Sequence, residues 1–99
     1  MGALAKYVQT ISDRKRYQID YDDWLDAGEQ VVSVAFTVEN NTSTPFVIDT
    51  DMVLPTGRSY QYYASGGVDG VTYEVRAVLT TNQGPQVRAD KLLFVVREP

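Results

Sequence analysis

Three features of the sequence predict an all-β fold: runs of β-branched and aromatic residues alternating with polar ones, turn-forming residues between those runs, and no sustained helical periodicity. Ninety-nine residues suit a single domain spanning 1–99, because chains usually divide only well beyond this length. About seven short strands punctuated at near-regular spacing then give an immunoglobulin-like antiparallel β-sandwich.

The N-terminal stretch MGALAKYVQTISDRK has only a brief apolar start. That is too short for the core of a signal peptide and far too short to span a bilayer, so cytoplasmic synthesis and no membrane partner are expected. The run Arg14-Lys15-Arg16 between Asp13 and Asp20 is too small a patch for nucleic acid and reads as a solvated strand edge, where charge discourages unwanted pairing.

RYQIDY turns Tyr17, Ile19 and Tyr21 to the interior. QVVSVAFTVE places Val32, Val34, Phe36 and Val38 on one face and Ser33, Thr37 and Glu39 on the other. PFVID and RSYQYYA supply two shorter runs, and VTYEVRAVLT sets Val71, Tyr73, Val75, Ala77 and Leu79 inward. KLLFVV closes the chain with Leu92, Phe94 and Val96 in alternation. The alternation slips around Ala89 to Lys91, where a β-bulge is expected. NNTSTP, LPTG, SGGVDG and NQGP between the runs are turn chemistry. Asn40-Asn41-Thr42 matches a glycosylation acceptor, but without a secretory signal it is a loop.

Gly70 followed by Tyr73 at the start of a long strand is where sandwich domains put a tyrosine whose hydroxyl bonds back to upstream backbone; the alternative is plain core packing.

The absence of cysteine and histidine removes thiolate nucleophiles, the usual general base and the commonest zinc ligands, and with them triads and zinc hydrolases. No cofactor is expected. With 9 basic against 13 acidic residues and a net charge of −4, phosphate backbones are repelled on average, so nucleic acid is not an expected partner.

The acidic stretch DYDDWLDAGEQV, residues 20–31, raises the question of chemistry most directly. A helix-loop-helix calcium site starting at Asp20 would need a ligand where Trp24 stands, glycine where Leu25 stands and glutamate where Val31 stands. A non-standard site on Asp20, Asp22 and Asp23 and a catalytic pair of Asp20 with Asp22 are the two chemical alternatives. Local mechanics favour a turn: Asp22 or Asp23 caps one helical turn, Trp24 and Leu25 bury, Gly28 supplies the positive φ that ends it, and the carboxylates face water. Catalytic, cofactor and metal residues are therefore all read as none.

A tyrosine-bearing strand ending Ile19-Asp20-Tyr21, then Asp23-Trp24-Leu25, then Gly28-Glu29 before a Val-rich strand, resembles small Ig-like proteins encoded among the structural genes of tailed bacteriophages and prophages, the fiber-tail adaptor or tail-associated proteins. The second half agrees through Ser65-Gly66-Gly67, Gly70, Tyr73, Thr80-Thr81, Gly84 and the closing Val95-Val96-Arg97-Glu98. The resemblance covers residues 6 to 98; it departs at Phe36, where a tryptophan is expected, and in the long loop with Met52 and Pro55.

What it implies is a virion component, made in the host cytoplasm, that works by docking other tail or fiber proteins, with a homo-oligomer also compatible. Loop ends, an edge strand and exposed tyrosines would carry the contact; Trp24, Tyr60, Tyr62 and Tyr63 are the interface candidates, and Tyr73, Gly28 and Gly70 the structural ones. The rival is a carbohydrate-binding or adhesion module stacking sugars on Tyr60, Tyr62 and Tyr63 beside Trp24, with Tyr60 and Tyr62 on one face.

Overall fold

A computed structural model describes residues 5–83 and 87–98, and in it the chain forms seven strands: β1 (Ala5–Thr10), β2 (Arg14–Asp20), β3 (Val31–Val38), β4 (Phe46–Val53), β5 (Ser59–Gly66), β6 (Thr72–Thr81) and β7 (Val87–Arg97). They make a four-stranded sheet ordered β1-β7-β6-β3 and a three-stranded sheet ordered β2-β5-β4. The neighbours β7-β6-β3 and β2-β5-β4 reproduce the strand order of an immunoglobulin-type sandwich. Among the described residues there is no helix.

Pairing is antiparallel except at one place. β1 lies parallel to β7, from Ala5 opposite Leu92 to Thr10 opposite Arg97. This strand occupies the segment in which the sequence shows only a brief apolar start. Its inward residues are Ala5, Tyr7 and the buried Gln9, so polar Gln9 interrupts the alternation that would have announced it. Gln9 instead ties the sheets together: Nε2 donates to the Ala64 carbonyl at 2.8 Å, and Oε1 accepts from the Tyr17 hydroxyl at 2.8 Å.

The interior is largely aromatic. Phe94 on β7 sits within 5.3 Å, centroid to centroid, of the rings of Tyr7, Tyr17 and Phe46, and Tyr62 meets it edge-on at 6.4 Å. Tyr17 and Tyr62 stack across β2 and β5 at 5.6 Å, while Phe46 and Tyr73 stack across the two sheets at 5.1 Å. Phe36, standing where a tryptophan was expected, fills its place by packing on Tyr62 at 4.8 Å and Tyr60 at 6.0 Å. Rings of this size each remove a large apolar area from water, which is how a chain without disulfides stabilises the fold.

Two expectations about register need correction. Val32 does not face the core: the β3–β6 pairing shifts between Val31 and Ser33, so Val31 and Val34 are buried while Val32 is 56% exposed. One extra residue in a strand reverses the faces on either side of it. No bulge occurs at Ala89 to Lys91 in the β6–β7 pairing, whose register runs unbroken from Thr80 opposite Val87 to Thr72 opposite Val95. The alternation looked broken there because Asp90, a charged residue, occupies the inward position opposite Ala77. A second bulge does exist, in β4 between Asp49 and Met52, where Thr50 adopts φ 50°. The run PFVID accordingly extends through it to Val53.

Candidate docking surfaces

The acidic connector between β2 and β3 is a turn. Trp24 and Leu25 amides both donate to the Tyr21 carbonyl, at 2.9 and 3.0 Å, closing one helical turn. The cap is Asp20 rather than Asp22 or Asp23, since Asp20 Oδ1 accepts the Asp22 amide at 2.9 Å. Leu25 is buried and Trp24 half-buried, and Gly28 takes φ 80°.

Arg58, at the β4–β5 turn, organises this connector. Its Nε donates to Asp22 Oδ1. Nη2 donates to the carbonyls of Asp22 (3.0 Å) and Leu25 (3.2 Å), and Nη1 to those of Asp26 (3.2 Å) and Glu29 (2.9 Å). A guanidinium has five N–H groups in a fixed fork, and here every one has a partner. The sequence does carry a signal for this role: Arg58 is the only basic residue between Arg16 and Arg76.

Glu29 departs from the expectation that the carboxylates face water. It is fully buried, with Oε1 accepting the Asp26 amide at 2.9 Å and Oε2 accepting the Thr81 hydroxyl. Asp20 and Asp22 border a shallow depression of about 370 Å³ with Gln18, Thr56, Arg58 and Ser59. One oxygen of Asp22 is engaged by Arg58 and one of Asp20 by the Asp22 amide. Among the described residues no three acidic side chains are grouped to hold a metal ion.

The four interface candidates fall in three different places. Tyr62 is completely buried and Tyr60 is 5% exposed, so both rings belong to the core and neither offers a face to a partner. The β2–β5 register explains this: Tyr62 stands opposite Tyr17, and Tyr60 opposite Ile19, both inward. Burial foremost, then a hydrogen bond to Asp51, pushes the Tyr60 phenol up to about 12, and burial likewise raises Tyr17, Tyr21 and Tyr62. Tyr63 does lie on the outer face of the smaller sheet, but the Arg14 guanidinium covers its ring at 4.4 Å while also bonding Asp49 Oδ1 (3.0 Å) and Thr50 Oγ1 (2.9 Å). Trp24 sits at the other end with Arg88 over its ring at 5.7 Å, lining a depression of about 390 Å³ with Val87, Ala89 and Asp90. Arg88 also faces the Tyr21 ring at 5.6 Å and pairs with the buried Asp90 at 2.9 Å.

Of the structural candidates, Gly28 belongs to the acidic connector, and Tyr73 and Gly70 hold the opposite end. The Tyr73 hydroxyl accepts the Val68 amide, five residues upstream, at 2.8 Å and lies 2.8 Å from Thr42 Oγ1. Gly70 takes φ 83° in the turn leading to it. Asn40 in the neighbouring loop donates to the Thr72 carbonyl and accepts the Glu74 amide, both within 2.9 Å, so this acceptor-like motif staples a loop to β6.

No curated protein and no solved structure matches the chain. A protein-family model described as podophage GP4 fiber-tail adaptor protein gp77 matches residues 9–97. That match runs from Gln9, near the end of β1, to the end of β7 and so takes in strands β2 to β7. The chain belongs to the podophage GP4 fiber-tail adaptor family, gp77.

Proposed function

We propose that the protein is a non-enzymatic component of a phage or prophage tail that joins fiber to tail by protein–protein docking. The family match over nearly the whole chain carries this reading. The chemistry of the fold supports it: the acidic stretch, the one cluster suggestive of catalysis or calcium, is used to seat Arg58 and cap a turn. The raised phenols stay protonated at neutral pH and supply no general base. The carbohydrate-binding alternative is weakened, because of its four aromatic residues Tyr60 and Tyr62 are core, while Tyr63 and Trp24 lie in separate places with Arg14 and Arg88 over their rings.

Quantitative mass spectrometry of purified virions, with electron microscopy of particles made without this gene, tests the proposal. The protein is expected in the particle alongside tail proteins, and particles lacking it are expected to lack fibers. Its absence from virions, or fully fibered particles without it, would overturn the reading.

A further inference from the structure

Strand register defines the outer face of the larger sheet row by row. Val8 lies beside Val95, Lys6 beside Leu93 and Glu74, Lys91 beside Arg76 and Thr37, and Ala89 beside Val78 and Ala35. A mixed band of apolar and charged side chains therefore crosses the sheet: the row Lys91-Arg76 separates Val8, Val95 and Leu93 from Ala89, Val78 and Ala35. Part of it is open, with Val8 64% exposed and Leu93, Val78 and Ala89 half-buried. A soluble sandwich ordinarily gives such outward positions to polar residues.

The charges around this band run against the rest of the molecule. Lys6, Arg76, Lys91 and Arg97 are exposed here, against Glu74 within the face and Glu39 at its margin. The remainder of the chain is left with eleven acidic and five basic residues. Among these cations, Lys91 makes one long contact, 3.7 Å to Glu74, of a kind that holds exposed side chains weakly. A shallow depression of about 280 Å³, whose lining includes Glu39, Glu74, Asp90, Arg76, Ala89 and Lys91, dents the face. The smaller sheet is different: its Arg14 is tied to Asp49, Thr50 and Tyr63 and is less free to meet a partner.

We infer that the outer face of β1-β7-β6-β3 is the docking surface of this adaptor and that its occupant is a tail or fiber protein presenting acidic groups flanked by apolar ones. The inference rests on the adaptor reading above and specifies where the adaptor binds. Charge complementarity selects the occupant, since a face with four cations and two acids on a protein that is acidic as a whole attracts and orients an acidic surface. The apolar residues on either side of the Lys91-Arg76 row supply the contacts from which water is excluded.

Two variants with the same change in charge test it. Lys6→Glu/Lys91→Glu alters the face, and Lys15→Glu/Arg16→Glu alters the β2 edge. Each is used to complement a phage lacking the gene, with copies per virion counted by mass spectrometry. The face variant is expected to drop at least tenfold in the particle while the edge variant matches wild type. Equal incorporation of both, or equal loss of both, overturns the inference. A photo-crosslinking residue at position 8 of the otherwise native chain, read out in assembled virions, covers the case of a face variant that does not fold. Crosslinks to a protein segment rich in Asp and Glu support the inference; crosslinks to DNA, to a basic segment, or to nothing overturn it. Wild-type protein present in the virion leaves the adaptor reading standing through any of those failures, whereas its absence removes both.

Discussion

Arg58 concentrates more of the connector's hydrogen bonding than any acidic residue around it, and truncating it strands four carbonyl groups as well as Asp22. Arg58→Ala is expected to cost about 2–4 kcal/mol, since hydrogen bonds to charged groups are worth more than neutral ones and several are lost together. Lysine should not restore the stability, because an ammonium cannot reproduce the planar fork. Asp22→Ala, with a side chain 61% exposed, should cost less than about 1 kcal/mol. Urea denaturation of the three variants checks this ordering; equal effects of Arg58→Ala and Asp22→Ala would show that the carbonyl contacts do not matter. The tyrosines separate in the same way. Tyr62→Ala removes a ring buried among Tyr17, Phe36 and Phe94 and should cost about 3–5 kcal/mol, as large aromatic truncations in cores do. Tyr63→Ala should fall below about 1 kcal/mol, because most of what it loses is a partly exposed cation–π contact with Arg14. Loss of any binding in Tyr62→Ala is then a consequence of unfolding, and circular dichroism of the variant would show it.

β6 was legible residue by residue, because Tyr73, Val75, Ala77 and Leu79 alternate without interruption and all are fully buried. The C-terminal half of β7 was legible for the same reason. β1 was not, since one of its three inward places holds Gln9, and a glutamine that bridges two sheets looks like a surface residue in a sequence. Bulges are also invisible to a period-two pattern: Val32 fits the apolar series as well as Val31, and only the pairing with β6 shows which is inside. Val32→Ser is therefore expected to change stability by no more than about 0.5 kcal/mol and Val34→Ser to cost about 2–3 kcal/mol, through lost burial and an unpaired hydroxyl. Thermal melts of the two proteins check it; comparable losses would place Val32 in the core after all. At the connector, the turn itself was readable from Asp20, Trp24 and Gly28, but the acidic cluster drew attention from its organiser. Arg58 stands more than thirty residues away in sequence, and only the fold brings it there. The cationic group on the outer face of the larger sheet was unreadable for a similar reason: Lys6, Arg76 and Lys91 become neighbours only once β1, β6 and β7 pair.

As a body, the protein is two sheets closed over interlocked phenol and phenyl rings, and that construction has its own response to pH. Tyr17, Tyr21, Tyr60 and Tyr62 all have pKa values raised above the ordinary 10, burial being the leading cause. A raised value means that the fold favours the neutral phenol, so this stabilisation is complete below about pH 10 and is lost as pH climbs from there through the folded values, about 12 for Tyr60. Chemical denaturation should thus show little contribution from these tyrosines to any change between pH 7 and 9 and a steep decline above about pH 10, with the ionisation of these four residues, followed individually by NMR, rising together with unfolding. Ionisation of any of the four before the fold is lost would mean that those phenols are open to water. The same closed interior leaves recognition to the outside, which is what an adaptor requires. The measurement that meets this claim most directly is a cryo-electron microscopy reconstruction of the tail of the phage that encodes the chain. It should show the sandwich between tail and fiber with the β1-β7-β6-β3 face against an acidic neighbour. A tail whose fiber joint contains no such sandwich, or one in which that face looks into solvent, would contradict it.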